Sequence, residues 1–283
     1  MSPAHTEVGT AGYTTLQTSR TGAILTVTIN NKASNVNLLS KRVFFELDQL
    51  VTYLPNDTST KVVLFESKNP TFFAAHVDLI QRPEDDNLNV DAHFATNVLF
   101  NITGLPQATI AVIDGPARGI GSEFVFACDM RFASKNAIFG NFEVALGNIP
   151  GAGGASYMPQ LIGRGRAFEY LLSGKDIDAF TAETYGWVNK AFSSSSDLYK
   201  YANELAARIA LFPAAALVSI KASVNSITRP TRDQVESDAR EYVRLSQTPE
   251  RHQFLKKFLA LTNNGTDVAV ELDLGEEVVK LYH

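Results

Sequence analysis

The amino-acid sequence predicts an α/β protein, with a β/α core over residues 13–195 and a helical C-terminal region over residues 196–283. Two observations support this prediction. Continuous apolar runs of strand length, such as "KVVLFES" and "ATIAVID", alternate with segments of helical periodicity in the first half of the chain. From residue 154 onward the periodicity is helical, with glycines and prolines at the segment ends. No low-complexity linker separates the two parts, so we expect one structural unit.

The first elements are predicted to be a β-hairpin and an amphipathic helix. The β-branched runs "YTTLQTS" and "AILTVTIN" are joined by "RTG", which is typical of a short hairpin turn. Ser40 is predicted to cap the helix that follows, because its hydroxyl can accept a hydrogen bond from a free backbone N–H. That helix has one apolar stripe at helical spacing, formed by Leu39, Val43, Leu47, Leu50 and Leu54.

The rest of the core is predicted to alternate strands and helices. "KVVLFES" and "ATIAVID" indicate strands buried on both faces, with a helix over residues 90–104 between them. The glycines of "GIGSE" begin a short helix that runs through Ala127, and the strand-like runs "MRFAS" and "AIFG" follow.

The C-terminal half is predicted to be a series of helices. Three short helices, "GGASYMPQLIG", "GRAFEYLLSGK" and "TAETYGW", end at glycines. Three longer ones follow in "YKYANELAARIALF", "PAAALVSIKASVNSI" and "TRDQVESDAREYVRLS". Pro213 and Pro230 are predicted to occupy first helical positions, where the missing N–H of proline costs no hydrogen bond.

Composition excludes several classes of function. The 283 residues are 45% hydrophobic and 19% charged, with a formal net charge of −5 and no basic patch, so nucleic acid and anionic membranes are not expected partners. The single cysteine, Cys128, allows no internal disulfide. No apolar run reaches the roughly 18 residues of a membrane helix. Residues 1–12 match no targeting signal and are predicted to be a disordered tail, so we expect a cytoplasmic location.

Three segments, at residues 72–79, 115–123 and 142–154, combine glycines or a glutamate with the end of a strand-like run. Gly119 and Gly121 would let a helix start approach a ligand, so that unpaired backbone N–H groups stabilise a developing oxyanion. Glu123 lies in the first turn of that helix, and Glu143 lies in a second glycine-rich, apolar segment. If the two carboxylates meet in an apolar cleft, they can divide acid and base work.

Simpler interpretations stay open at this point. Taken alone, a glutamate in the first helical turn, such as Glu123, more often only interacts with the helix dipole, and a glutamate such as Glu143 is more often a solvent-facing loop residue. "GIGSE" also resembles the start of a dinucleotide-binding fingerprint of an oxidoreductase, but Phe124 occupies the third glycine position. The five histidines have no paired metal-ligand spacing, so no catalytic metal is predicted.

Taken in order, the three segments resemble the crotonase superfamily, the enoyl-CoA hydratases and isomerases, from about Thr14 to Phe192. The most specific match is "FGNFEVALGNIPGAGGASYMPQLIGRG", in which a glutamate precedes "NIPGAGG" and an arginine-rich helix start. "DGPARGIGSEFVFACDMRFAS" is similar to the family's strand–turn–helix, and "FFAAHVDL" to its first loop. The resemblance implies a crotonase-like spiral of ββα units whose C-terminal helices assemble homotrimers or hexamers.

The resemblance also implies roles for particular residues. Glu123 and Glu143 match the two catalytic glutamates of the hydratases, and the backbone N–H groups of Val77 and Ile120 match the oxyanion hole. The implied substrate is an acyl-CoA thioester, with no other cofactor, and the implied reaction adds water to a 2-enoyl thioester or removes it. The implied substrate-binding positions are Ala75, His76, Asp78, Gly119 and Gly151. Of these, Asp78 closes the first loop and the backbone of Gly151 helps to hold the water.

Departures from the family pattern leave alternatives open. His76, Val77 and Ile120 replace smaller residues, which also suits an isomerase or lyase acting on an unusual acyl thioester, or a non-catalytic member that binds an acyl group or a partner protein. His76 is either an acid/base or substrate contact, or a ring hydrogen-bonded to a loop carbonyl. Arg118 is expected to pair with a CoA phosphate or with a carboxylate of a neighbouring subunit.

Overall fold

The computed structural model describes residues 12–80 and 82–283. The predicted disordered tail, residues 1–12, lies outside the described residues except for Gly12. The structure has the mixed α/β architecture that the sequence predicts, with a helical C-terminal region.

The described strands form two sheets. The larger sheet has the order β1-β2-β3-β4-β6-β9, and the smaller has the order β5-β7-β8. β1 and β2 pair as the predicted antiparallel hairpin, and the other neighbours in the larger sheet are parallel. The strands are β1 (Leu16–Thr21), β2 (Ile24–Ile29), β3 (Val62–Ser67), β4 (Ala108–Ile113), β5 (Ala117–Arg118), β6 (Met130–Ser134), β7 (Ile138–Gly140), β8 (Ile177–Asp178) and β9 (Lys190–Phe192).

The helices connect these strands and then continue to the C-terminus. They are α1 (Lys41–Tyr53), α2 (Ala92–Thr103), α3 (Ile120–Ala127), α4 (Gly154–Ile162), α5 (Arg164–Ser173), α6 (Ala179–Tyr185), α7 (Ser195–Ala210), α8 (Ala214–Thr228), α9 (Arg232–Ser246), α10 (Pro249–Leu261), α11 (Val268–Leu272) and α12 (Leu274–Glu277). Short 3₁₀ helices span Leu54–Asn56, Pro83–Asp85, Glu143–Leu146 and Val278–Tyr282.

Both faces of the larger sheet are covered, which explains why its central strands are continuously apolar. Val63 and Phe65 of β3 belong to the main core, which includes apolar residues of α1, α2 and α3. Val62 and Leu64 of the same strand face the opposite way and pack in a cluster with Leu198 of α7. The first helix of the C-terminal region is therefore part of the packing of the sheet.

The predictions for helix starts are confirmed at Ser40 and are wrong at Pro213 and Pro230. The hydroxyl of Ser40 accepts a hydrogen bond from the N–H of Val43 at 3.4 Å, so Ser40 caps α1 as predicted. Pro213 is the cap residue before α8 and has an extended backbone (ψ 129°), so it does not occupy the first helical position. Pro230 lies still farther out, because Thr231 and Gln234 form a capping box at the start of α9.

Within the described part of the chain, no single helix is long and apolar enough to cross a membrane. The pair α7 and α8 reaches that length and composition together, but it is bent by 112° at the break.

Candidate active site

A cavity of about 300 Å³ lies where the loops of the core meet the C-terminal helices. Most of its lining surface is apolar, and the polar side chains that face it include Glu123 and Glu143. A small, mostly apolar cavity with a few convergent polar groups is the usual form of a small-molecule site. Its apolar walls include Leu39, Phe44, Val90, Ala95, Phe142 and Leu146.

One wall of the cavity forms where the loop of residues 72–79 lies against the turn before α3. Ala74 and Ala117 form a parallel bridge, and the N–H of Arg118 donates to the carbonyl of Ala74 at 3.3 Å. A Cβ at Gly121 would lie 2.4 Å from the same carbonyl, so any side chain there would push the two segments apart. The glycine after Ile120 is therefore required by this close approach.

Val77 and Ile120 line the cavity, and each leaves a backbone N–H without an acceptor among the described residues. Val77 forms a parallel bridge with Leu39, in which the carbonyl of His76 and the N–H of Asp78 both bond to Leu39. The N–H of Val77 therefore points away from that bridge. Ile120 begins α3, where the first N–H groups have no partner within the helix. Two donors of this kind can stabilise an oxyanion.

Glu123 lies in the first turn of α3 and is buried. Its Oε1 accepts hydrogen bonds from the N–H groups of Ala152 and Gly154, both at 2.7 Å. The glycine-rich loop before α4 is thus tied directly to this carboxylate. The side chain faces the cavity and does more than interact with the dipole of α3.

Glu143 begins the 3₁₀ helix after β7 and is directed toward the turn before α3. Gly119 in that turn has a positive φ of 51°, and a Cβ on it would lie 3.0 Å from Oε1 of Glu143. Oε2 of Glu143 is buried and has no hydrogen-bond partner among the described residues. Glu143 is therefore not a solvent-facing loop residue.

Burial and mutual repulsion make the two carboxylates unusual acids. Burial raises the pKa of Glu123 well above its ordinary value, and repulsion from Glu143 adds to this against the two backbone donors. Burial also raises the pKa of Glu143 to about 7, although hydrogen bonds and the charges of His76 and Arg251 oppose the shift. Close to neutral pH, such a pair can hold one proton between two sites. One carboxyl group can then donate a proton while the other accepts one.

The ring of His76 is only 3% exposed and is held at both nitrogens. Nδ1 donates to the carbonyl of Val77 at 2.7 Å, and Nε2 pairs with Oε1 of Glu271 in α11 at 3.1 Å. Burial alone would lower the pKa of His76, but the Glu271 carboxylate, the Val77 carbonyl and the charge of Asp78 together outweigh it, and the pKa is raised. The interpretation of His76 as a ring bonded to a loop carbonyl is confirmed, and the ring also connects this loop to the C-terminus.

The other predicted substrate-binding residues have different surroundings. Asp78 accepts from the N–H of Ile80 at 3.1 Å and pairs with Arg82, which holds its loop closed. The carbonyl of Gly151 accepts from the hydroxyl of Thr96 at 2.9 Å. The side chain of Ala75 packs in a separate apolar cluster with Val36, Leu38 and Phe72.

Arg118 corrects an expectation from the sequence. Its guanidinium forms a bidentate pair with Asp176 of the same chain at 2.7 and 2.8 Å, and it also donates to the carbonyls of Glu271 and Leu272. It therefore pairs with neither a CoA phosphate nor another subunit. Its bonds to Glu271 and Leu272 attach the turn before α3 to the C-terminal helices, and its pair with Asp176 attaches the same turn to the segment before β8.

Sequence reasoning missed Tyr242 of α9 and Arg251 of α10, which both line the cavity. A Cβ on Gly151 would lie 2.6 Å from the Cγ of Tyr242, so the tyrosine ring covers the glycine-rich loop. Neither residue carries a local signal, because a tyrosine or an arginine in an amphipathic helix usually lies at the surface. Their inward position depends on contacts with segments about a hundred residues earlier in the chain.

Comparison with known proteins identifies the family. A family model described as enoyl-CoA hydratase/isomerase matches residues 19–261. A 2,3-dehydroadipyl-CoA hydratase of Escherichia coli is 30% identical over 242 residues, which cover 85% of this chain and 94% of that protein. A short-chain-enoyl-CoA hydratase of Clostridium acetobutylicum is 30% identical over 218 residues, which cover 76% of this chain and 82% of that protein.

A solved structure extends the similarity to the whole fold. The crystal structure of a candidate enoyl-CoA hydratase from Streptomyces avermitilis has a TM-score of 0.85 and 36% sequence identity to this chain. The match covers 95% of this chain and 98% of the other. With the architecture, the order of the three segments and the family match in agreement, the chain belongs to the enoyl-CoA hydratase/isomerase family of the crotonase superfamily.

Proposed function

We propose that the protein is an enzyme that adds water to a 2-enoyl-CoA thioester, or removes it in the reverse direction. The observation that carries this proposal is a pair of carboxylates in one mostly apolar cavity, the buried Glu123 and the half-buried Glu143 with its enclosed Oε2, beside two backbone N–H groups that have no acceptor among the described residues. An isomerase needs one proton-transferring group at a time, whereas hydration needs a base for the water and an acid for the substrate. The arrangement therefore favours hydration.

The residues would divide the reaction as follows. The thioester carbonyl oxygen accepts hydrogen bonds from the N–H groups of Val77 and Ile120, which stabilise the enolate as negative charge moves onto that oxygen. Water is held by Glu123 and Glu143, and its oxygen bonds to the β-carbon while one carboxylate takes a proton. The protonated carboxyl group delivers its proton to the α-carbon, so that one water is added in total.

The names of the relatives support the same reaction class. Those in Escherichia coli and Clostridium acetobutylicum are both named as hydratases of enoyl-CoA thioesters. The proposal needs no metal or additional cofactor, because a carboxyl pair and backbone donors supply every proton transfer and the charge stabilisation.

The test is an assay of the purified protein with crotonyl-CoA and longer 2-enoyl-CoA thioesters. Hydration is monitored as the loss of absorbance of the conjugated thioester. Glu123→Gln and Glu143→Gln should each lower kcat by about 10²- to 10⁴-fold, because glutamine is nearly isosteric but cannot exchange a proton. Circular dichroism confirms that each variant is folded.

Other outcomes select the alternatives. Strong dependence of double-bond migration on only one of the two glutamates would favour an isomerase. Tight CoA binding without turnover of any thioester would favour a non-catalytic member. Either result would overturn the proposed hydration.

Assembly as a homotrimer or hexamer, and a cytoplasmic location, stay predictions. α8 gives the assembly physical support, because no residue of this helix is buried in the single chain. Its exposed apolar side chains suit an interface between copies. They include Val218, Ile220, Val224 and Ile227.

A further inference from the structure

The side chain of Arg251 is buried in the wall of the cavity, where it interacts with the hydroxyl of Tyr242 and with the charge of Glu143 but leaves two of its nitrogens without a hydrogen bond among the described residues. It is 4% exposed, and its Nε and Nη1 atoms have no hydrogen-bond partner among the described residues. No carboxylate of the described chain lies within 4.0 Å of its guanidinium. Leaving a buried charge unpaired is strongly unfavourable, so these donors indicate a missing partner.

The other two buried arginines show how this chain satisfies such groups elsewhere. Arg118 binds Asp176 through two nitrogens and also donates to two backbone carbonyls. Arg131 donates to the carbonyls of Trp187 and Cys128 at 2.9 and 2.8 Å. Neither of them lines the cavity around Glu123 and Glu143, whereas Arg251 does. Of the buried arginines in the described chain, the one with two unpartnered nitrogens is thus the one that a ligand in this cavity can reach.

The position of Arg251 relative to the proposed oxyanion hole gives the direction of the ligand. Glu143, at the start of the 3₁₀ helix, faces the turn of Gly119. Gly147, just beyond the end of that 3₁₀ helix, packs against the backbone of Arg251, with a Cβ there 3.8 Å from the Cα of the arginine. A thioester bound at Val77 and Ile120 would place its α- and β-carbons near the glutamates. The remainder of the acyl group would then extend toward Arg251.

The chemistry of the end group follows from the guanidinium. Its planar fork of donors matches the two oxygens of a carboxylate. Without such a cation, a cavity that contains two glutamates would repel an anionic acyl group. The small volume of the cavity, about 300 Å³, favours a short chain.

We propose that Arg251 binds a second carboxylate at the far end of the acyl group, so that the preferred substrates are short 2-enoyl-CoA thioesters of dicarboxylic acids. This inference rests on the proposed function for the reaction, but the binding preference can be measured without turnover.

The experiment compares the binding of glutaryl-CoA and pentanoyl-CoA by titration calorimetry. Both are saturated, unreactive toward hydration and five carbons long, and they differ in the terminal carboxylate. The unmodified protein should bind glutaryl-CoA roughly 10- to 100-fold more tightly, as expected for a hydrogen-bonded charge pair. Arg251→Met should abolish this ratio, and Arg251→Lys should retain part of it, because lysine keeps the charge but loses the fork.

Lys41→Met is the matched control, because Lys41 also lines the cavity but is exposed. It should leave the ratio unchanged. Equal or tighter binding of pentanoyl-CoA by the unmodified protein would overturn the proposal even if every variant misfolded. Loss of the ratio in Lys41→Met but not in Arg251→Met would overturn the assignment to Arg251.

A turnover experiment separates this inference from the proposed function. Glutaconyl-CoA, an unsaturated five-carbon thioester with a terminal carboxylate, should be hydrated with a higher kcat/KM than 2-pentenoyl-CoA. If neither is hydrated but the binding ratio holds, the proposed hydration fails and the carboxylate site stands. If both are hydrated and the binding ratio is absent, the proposed hydration stands and the carboxylate site fails.

Discussion

Glu46 is buried and Glu143 is half-buried with an enclosed Oε2, and the hydrogen-bond partners of the two carboxylates differ sharply. Both carboxylate oxygens of Glu46 accept hydrogen bonds, five in all from Thr14, Thr15 and Leu16, at 2.8 to 3.1 Å. Glu143 has a buried oxygen with no hydrogen-bond partner among the described residues, and burial raises its pKa to about 7. Burial alone therefore does not identify a functional carboxylate. The supply of donors distinguishes a carboxylate that anchors the chain from one that can exchange a proton.

The largest expected effect is the contrast between Glu46→Gln, which should lose stability but keep its activity, and Glu143→Gln, which should lose activity. An amide nitrogen at position 46 would face N–H and O–H donors, so we expect a loss of about 3 kcal/mol in the free energy of unfolding. The kcat of the folded protein should be unchanged, in contrast to the large loss in Glu143→Gln. Urea titration and the hydration assay measure the two quantities. A Glu46→Gln protein of full stability would break the comparison.

A pH-dependent gain in stability is expected for Glu143→Gln. Between its ordinary pKa of about 4.5 and the raised pKa of about 7, Glu143 holds its proton in the folded state more than in the unfolded state. The unmodified protein therefore loses stability as pH rises through this window. Glutamine does not titrate, so the variant should gain up to about 3 kcal/mol relative to the unmodified protein at pH 8.

Thermal unfolding of both proteins at pH 4, 6 and 8 checks this expectation. The difference between them should be near its minimum at pH 4 and should grow with pH. A stability difference that does not depend on pH would show that folding does not raise the pKa of Glu143.

The smallest effect concerns the ion pair between His76 and Glu271. The raised pKa of His76 means that its contribution to stability is complete below the ordinary histidine pKa and is lost as pH rises through the folded value. Amide protection in α11, corrected for intrinsic exchange, should therefore fall a few-fold on that rise, whereas β3 should not respond. His76→Gln should remove the pH dependence in α11. An unchanged pH response in that variant would exclude His76 as its source.

Much of the fold was predictable because its signals are local. The hairpin turn, the apolar runs of β3 and β4, and the cap at Ser40 each depend on a few neighbouring residues. The candidate site was predictable where a motif carries it, since "GIGSE" contains Glu123 and "NIPGAGG" begins five residues after Glu143. The structure brings these segments together in one cavity, while the catalytic roles stay predictions.

The remainder depended on contacts between distant parts of the chain. Arg118 binds a carboxylate 58 residues later, so no local pattern could distinguish that partner from a phosphate or another subunit. Arg251 is buried because α10 packs against Gly147, in the loop after the 3₁₀ helix Glu143–Leu146. The wrong prediction for Pro230 has a different cause. Thr231 takes the position at the start of α9 because its side chain forms the capping hydrogen bond.

The order in which the walls of the cavity are synthesised has a consequence for the nascent protein. Both glutamates and both free N–H groups belong to the first 143 residues, whereas Tyr242 and Arg251 leave the ribosome about a hundred residues later. If the proposed roles hold, a growing chain carries the two carboxylates before it has the side chain proposed to select the acyl group. The proposed selectivity would then be absent until α9 and α10 have been synthesised.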